Sequence, residues 1–177
     1  IGPFGFLFDT RLYLREKKVR QLNRQRSKEH RLSYRSKYHL AREMLLELEE
    51  LLPKGSQVYV LFDSWYASAK LINLCLRKNW QVICALKANR KIEKHRVDHY
   101  HQTLSHKPYQ RITLEAVGDR RAPTYYVRTV RGHLEDIRQE VYVILSKKRP
   151  GDPRPKYFLC TDTRLTAEEA LKLYQKR

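Results

Sequence analysis

The chain has 177 residues and a net charge of +18, from 37 Lys+Arg against 19 Asp+Glu, with a sequence pI near 10.0. At 41% hydrophobic it can bury a core, yet no apolar run approaches the ~20 residues of a membrane span, and its start carries no signal-peptide pattern. Cys75, Cys84 and Cys160 are odd in number and set in apolar runs, which excludes a disulfide frame or a CxxC zinc site and points to buried thiols in a reducing compartment.

A charge this far from neutral in a small chain points first to a polyanion, and nucleic acid is favoured over membrane because the basic residues run through folded-looking segments. The plain alternative is a generally basic, solvated surface.

In chain order, Ile1 to Phe8 is apolar with Gly2, Pro3 and Gly5, an opening that reads as chain cut out of something longer. Arg11-Leu12-Tyr13-Leu14 predicts a short strand. From Arg15 to Lys37, Lys, Arg, Gln and Ser dominate, so this stretch is either an exposed loop or a helix with almost no core face. On charge alone it is a candidate DNA-backbone contact. Only Tyr34 and Tyr38 interleave it, so base stacking is not implied.

Lys37 to Leu52 predicts a helix. Tyr38, Ala41, Leu45, Leu48 and Leu52 form a stripe at helical spacing, which Leu40, Met44 and Leu51 widen. Pro53-Lys54-Gly55-Ser56 stops it.

The stretch Gln57 to Arg90 organises the rest. Val58 to Phe62 reads as a strand buried on both faces, and it ends abruptly on Asp63. A helix follows, with Ser64 available as its N-cap, then a second strand, Val82 to Leu86, closing on Lys87, Asn89 and Arg90. This is one βαβ unit with an acid at a strand tip, where α/β folds place working groups, and with cations nearby. Such a carboxylate suits a divalent metal, and the cations suit a phosphate backbone. A helix N-cap or a turn acid would also place an Asp here.

After Arg90 the chain is polar and rich in His. His95 and His99 can share a helical face and bind a metal, though no further acid or Cys completes a ligand set. Next comes a β-rich block. Its strands are Arg111 to Val117 (followed by Gly118-Asp119), Thr124 to Val130 (closed by Gly132), Glu140 to Leu145 and Tyr157 to Cys160, the last pair joined by the loop Arg149 to Pro155. Alternating Arg and Tyr give this block a polar face that can meet DNA, as the wet face of an ordinary antiparallel sheet also would. A helix begins at Ala167, with Thr166 and Glu169 as a capping box, and Tyr174 and Arg177 lie on one of its faces.

Taken together, these segments resemble a DDE-type transposase of a bacterial insertion sequence, in the group whose ribonuclease H-like core is interrupted by a β-rich insertion. Leu12 to Arg15 is similar to the family's LYLP-type segment, and Arg35 to Ala41 to its "TK…LA" helix start. Phe62-Asp63-Ser64-Trp65-Tyr66 with Leu86 to Arg90 is similar to the strand of the second acid and the strand after it. Leu173 to Arg177 looks like the opening of the Y-x-x-R-x-x-x-E-x-x-x-x-x-x-K signature.

The resemblance implies an α/β fold, a partial ribonuclease H-like (RNase H-like) catalytic core in residues 1–107 and 161–177, and a β-rich insertion in 108–160. It implies Asp63 as catalytic and metal-binding acid, and Tyr174 and Arg177 as DNA-phosphate contacts, to which the reading of the strand end adds Lys87 and Arg90. The first acid is expected upstream of Ile1, with Asp9 read as a loop residue, and the signature Glu beyond Arg177.

The implied cofactor is Mg²⁺ in a two-metal arrangement, and the reaction is cleavage and strand transfer at transposon ends. The implied partners are double-stranded DNA of transposon ends and target, with a homodimer as the candidate assembly and no membrane. The implied location is the bacterial cytoplasm, at the nucleoid. By itself the chain is expected to bind DNA with steep salt dependence and not to cleave it. Two rivals stay open: a basic nucleic-acid-binding module without chemistry, and a nuclease pairing Asp63 with Asp162.

Overall fold

The structure, a computed structural model, describes residues 9–104, 106–116 and 121–177. The apolar opening Ile1 to Phe8 and the Val117-Gly118-Asp119 strand end and turn lie outside the described residues. The chain divides into two compact units, Ile1–Ser56 and Gln57–Arg177.

The first unit is helical. Helix α1, Glu16–Asn23, buries only Val19, as its charged sequence predicts, and a 3-10 turn at Lys28–His30 follows. Helix α2, Lys37–Leu51, is capped by Ser36, whose Oγ accepts from the His39 N–H at 3.2 Å. It stops ahead of Pro53, and Gly55 takes the turn at φ +80°, a conformation that favours glycine. The Arg11 to Leu14 segment forms no strand. The Arg11 guanidinium instead pairs with Asp9 at 2.6 Å, with Glu43 at 2.7 Å and with Glu47, so ion pairs and not a ladder hold it. Asp9 sits in that loop.

The second unit is built on one sheet. Its elements run β1 (Tyr59–Phe62), α3 (Ala69–Arg77), β2 (Gln81–Leu86), a small hairpin β3 (Lys91–Ile92) and β4 (His95–Arg96), α4 (His99–Thr103), β5 (Gln110–Thr113), β6 (Thr124–Gly132), β7 (Val141–Lys147), β8 (Lys156–Cys160) and α5 (Ala167–Gln175). The strand order is β1-β2-β8-β7-β6-β5. β1 and β2 are parallel, joined through α3 as a βαβ unit requires, and every other pair in that sheet is antiparallel. The strands of the β-rich block thus continue the sheet that carries Asp63, with β8 lying directly against β2.

Hydrophobic burial explains the layering. Ile83, Val127, Tyr142, Ile144 and Cys160 point to one face and pack with Ala170 and Leu171 of α5. The alternate residues Val82, Cys84, Val143, Leu145 and Leu159 are fully buried as well, so the opposite face is also covered, and α3 packs on β2. All seven residues of β7 are buried, so this strand has no wet face, while Arg111 of β5 and Thr129 and Arg131 of β6 remain exposed. Arg128, expected on a polar face, is itself buried, its guanidinium 4.1 Å over the Tyr109 ring. β1 also departs from expectation: as an edge strand it leaves Tyr59, Val60 and Leu61 only half-buried.

Two local expectations are corrected. α3 starts at Ala69 with Ser68 as its cap, not after Ser64, because Asp63 Oδ1 accepts the Trp65 N–H at 2.8 Å and the Asp63 carbonyl accepts the Tyr66 N–H at 3.2 Å. Residues 63–68 are therefore a turn. His95 and His99 do not share a helix: they sit on β4 and α4, with rings stacked 5.5 Å apart. Among the described residues, no group of three or more His, Cys, Asp or Glu can hold a metal ion.

Candidate functional site

Asp63 follows the last residue of β1, at the C-terminal end of the parallel pair. Its two carboxylate oxygens are used differently. Oδ1 accepts the Trp65 N–H and shapes the turn, which is the role of a turn acid. Oδ2 lies 3.8 Å from Nη1 of Arg177, and both side chains remain well exposed. The local geometry therefore commits one oxygen to structure and leaves the other facing a cation and solvent.

Helix α5 brings up the other side. Thr166 Oγ1 accepts the Glu169 N–H at 3.2 Å and the Glu169 carboxylate accepts the Thr166 N–H at 2.7 Å, so the predicted capping box forms. Near the far end of the helix, the Tyr174 ring meets Phe158 of β8 edge-on at 5.0 Å, and the Arg177 guanidinium lies 5.0 Å over the Tyr174 ring. Burial holds the Tyr174 phenol above its usual range. Arg177, which rests on Tyr174, is thus brought to Asp63 from far along the sequence.

The end of β2 supplies Lys87 and Arg90. Lys87 Nζ lies 5.5 Å over the Trp65 ring. Arg90 Nη1 donates to the Ala67 carbonyl at 2.9 Å, tying the β2 end to the turn that carries Asp63. The two cations therefore differ: one rests on an exposed aromatic, the other braces backbone.

Asp162 stands elsewhere. β8 runs antiparallel to β2, with Cys160 opposite Ile83 and Tyr157 opposite Leu86, so Asp162 lies toward the N-terminal ends of β1 and β2. There Asp162 Oδ2 accepts the Tyr59 hydroxyl at 2.8 Å, while Tyr59 and Asp63 are separated by about 13 Å of strand at ~3.3 Å per residue. Arg164 clamps the same carboxylate through Nε and Nη2, each at 2.9 Å. The Arg164 guanidinium first, and the Tyr59 hydroxyl after it, hold Asp162 down to about 2 against the opposing effect of burial. A pairing of Asp63 with Asp162 is excluded by this placement.

A cleft beside Tyr174 is not foreseen from the sequence. About 350 Å³ in volume, it has Tyr125, Phe158 and Tyr174 on its aromatic side and Lys148, Arg154 and Lys156 among its polar lining. In the sequence those cations belong to a Pro- and Gly-containing connection, and nothing local shows that β8 returns beside β2 and so brings them to the end of the sheet that holds Asp63. Trp65, which in the sequence is only one letter of a motif, has a side chain that is 65% exposed.

As to a divalent metal, Asp63 fits as one oxygen ligand through Oδ2, and the described residues do not complete a set around it. Among the described residues no helix is long and apolar enough to cross a membrane. A family model described as a transposase DDE domain matches residues 33–177. No curated protein matches the sequence.

Proposed function

The chain belongs to the family of transposase DDE domains, and from that premise we propose that the Asp63 end of its sheet is a DNA-processing site in which Asp63 is the catalytic, metal-binding acid. The fold is the α/β, ribonuclease H-like class of that family, whose substrate is DNA and whose chemistry generally uses a divalent metal. The finer reading follows from the residues. Arg177, the Tyr174 hydroxyl, Lys87 and Arg90 hold DNA phosphates. Residues 108–160 are a β-rich insertion between the core parts 1–107 and 161–177. Assembly as a homodimer and residence at the bacterial nucleoid belong to the same reading.

The carrying observation is the approach of Arg177 to Asp63, 3.8 Å apart, in a chain of strong positive charge. A cation poised beside a carboxylate can bind the phosphate that the carboxylate alone would repel. Mg²⁺ suits the site because it takes few carboxylates and fills its remaining positions with water and phosphate oxygens. With Asp63 Oδ2 as one ligand, such ions would supply activation of a water or 3′-hydroxyl and charge stabilisation of the leaving oxygen in cleavage and strand transfer. Asp63 contributes Oδ2 as ligand, the Trp65 N–H fixes the carboxylate plane, and Arg177 and Tyr174 orient the phosphate by donating to its oxygens.

The test is DNA binding with and without Mg²⁺, followed by anisotropy of a labelled duplex. The unaltered chain should bind more tightly when Mg²⁺ is added, and Asp63→Ala should lose that response. An unchanged Mg²⁺ response in Asp63→Ala would make Asp63 a turn acid only, and the chain a basic nucleic-acid-binding module without chemistry.

A further inference from the structure

A second cleft, about 690 Å³ in volume, opens beside α4, with His101, Arg154 and Tyr157 among its lining. Tyr157 stands opposite Leu145 in the ladder, so this cleft lies on the face of the sheet away from α5. Arg154, exposed on the loop before β8, borders both this cleft and the one beside Tyr174. Tyr157 is only 8% exposed, and among the described residues its hydroxyl has no hydrogen-bond partner. The carboxylate of the cleft, Asp98, is already matched, because Arg96 donates to its two oxygens at 3.0 and 2.6 Å.

Two further cations stand behind this wall. The Tyr109 hydroxyl meets His101 Nδ1 at 3.1 Å, and the Arg128 guanidinium and Lys147 Nζ lie 4.1 and 4.9 Å from the centre of the Tyr109 ring. Arg128 and Lys147 are 8% and 7% exposed, and neither makes an ion pair among the described residues. Arg128 Nε has neither solvent nor a partner. The acid that Lys147 feels, Asp152, has its Oδ2 taken by the N–H groups of Lys148 and Arg149, at 3.1 and 2.9 Å. A ring face offsets part of the cost of burying a cation but does not neutralise it. Both charges reach the cleft wall: burial first, then Lys147 and Arg128, hold the His101 imidazole below its usual range. Low-dielectric walls focus such a field into the cleft.

We propose that this cleft is an oxyanion site, in which the Arg154 guanidinium and the Tyr157 hydroxyl hold a phosphate group, and the buried Arg128 and Lys147 supply the positive field behind it. Phosphate is the fitting class, because its oxygens accept from a guanidinium fork and a hydroxyl at once, and its charge answers two buried cations that no carboxylate matches. The donors belong to β8 and the loop before it, so the site is separate from Asp63 and Arg177 and is tested separately from them.

Inorganic phosphate is the probe, titrated by calorimetry into the unaltered chain at fixed ionic strength. It should bind where chloride does not, and it should move the ring resonances of His101, identified by their loss in His101→Gln. Arg154→Ala should weaken binding about ten- to hundredfold, and Tyr157→Phe about two- to tenfold. Lys147→Met, which removes a charge that does not touch the ligand, should weaken it about two- to tenfold through the field alone. If either buried variant does not fold, Arg154→Ala, on an exposed loop, still decides. A blunt DNA duplex added afterwards releases the phosphate if the site takes a backbone phosphodiester, and leaves it bound if the site takes free phosphate; both results keep the oxyanion site. A response no greater than that to chloride, or one undiminished in Arg154→Ala, overturns it. Binding that survives Arg154→Ala and is lost in Arg177→Ala would place the phosphate at the Asp63 end, overturning this site and leaving the DNA-site reading standing.

Discussion

Arg177 Nη1 stands 3.8 Å from Asp63 Oδ2, close enough for attraction and too far for a direct hydrogen bond. Because both side chains are substantially exposed, a pair of this kind contributes about 1 kcal/mol or less to stability. Little stability is therefore given up when the guanidinium turns to a phosphate, and the pair behaves as a resting position for Arg177.

From this, Arg177→Ala should leave the thermal midpoint nearly unchanged and weaken DNA binding. The slope of log affinity against log salt should fall by about 0.9, because one phosphate is no longer neutralised. Asp63→Asn in chelating buffer should bind DNA about two- to five-fold tighter, since it removes a negative charge facing phosphate at close range. Salt-dependent anisotropy titrations check both. A normal salt slope in Arg177→Ala would remove that residue from the DNA interface.

Lys87 and Arg90 should separate cleanly in a paired experiment. Arg90 donates to the Ala67 carbonyl at 2.9 Å, so Arg90→Ala gives up a partly buried charged hydrogen bond and should lower stability by about 1–3 kcal/mol. Lys87 rests on the exposed Trp65 ring, so Lys87→Ala should cost at most about 1 kcal/mol of stability and act mainly on DNA affinity. Urea unfolding set beside DNA titration distinguishes the two; equal destabilisation would contradict the assignment.

Thr166→Ala removes the side chain at the centre of the capping box and should destabilise the unit by about 0.5–2 kcal/mol. Because α5 carries Tyr174, DNA binding should weaken with it when measured near the midpoint of unfolding and recover at lower temperature. Circular dichroism melts and binding at two temperatures provide the check.

Asp162 gives the acid limb of stability. Its folded value, about 2, lies below the ordinary 3.8, so the stabilisation is full above pH ~4 and fades as the pH falls toward 2. For this nearly fully buried carboxylate the linkage amounts to about 2 kcal/mol as an order of magnitude. Asp162→Asn should therefore be less stable at pH 6 and should lose much of the additional drop between pH 4 and 2. Denaturant midpoints at pH 6, 4 and 2.5 test this, and an acid limb as steep in the variant as in the parent would assign the effect to other carboxylates.

Much of this was legible in the sequence, for a physical reason. The elements that read well are those specified by neighbours a few residues away: the capping box at Thr166 and Glu169, the stop at Pro53 to Gly55, and the βαβ succession around Asp63. The contrast between Ser64 and Ser68 marks the limit. Both are good caps by residue type, and the choice was made by a side-chain bond from Asp63 that claims the first turn. What was hidden depended on distant pairing. That β8 returns to lie between β2 and β7 decides the covering of β7, the clamping of Asp162 away from Asp63, and the gathering of Lys148, Arg154 and Lys156 next to Tyr174. Trp65 was readable only as a hydrophobic letter, because the same letter at Trp80 does go into the core.

The position of β2 between β1 and β8 has a consequence for biosynthesis. Its partner on one side is made just before it, but Leu86 waits for Tyr157 on the other. At roughly 5–20 residues per second, a ribosome needs about 4–14 s to supply that strand. During the wait, an apolar central strand, Gln81–Leu86, emerges with one row of backbone groups unmet and its fully buried Val82, Ile83 and Cys84 uncovered. Such an edge is a template for pairing with the wrong strand, including one from a neighbouring nascent chain on the same message. High expression at elevated temperature should therefore drive this polypeptide into inclusion bodies, while fewer simultaneous chains in the cold, where apolar association is weaker, should leave more of it soluble.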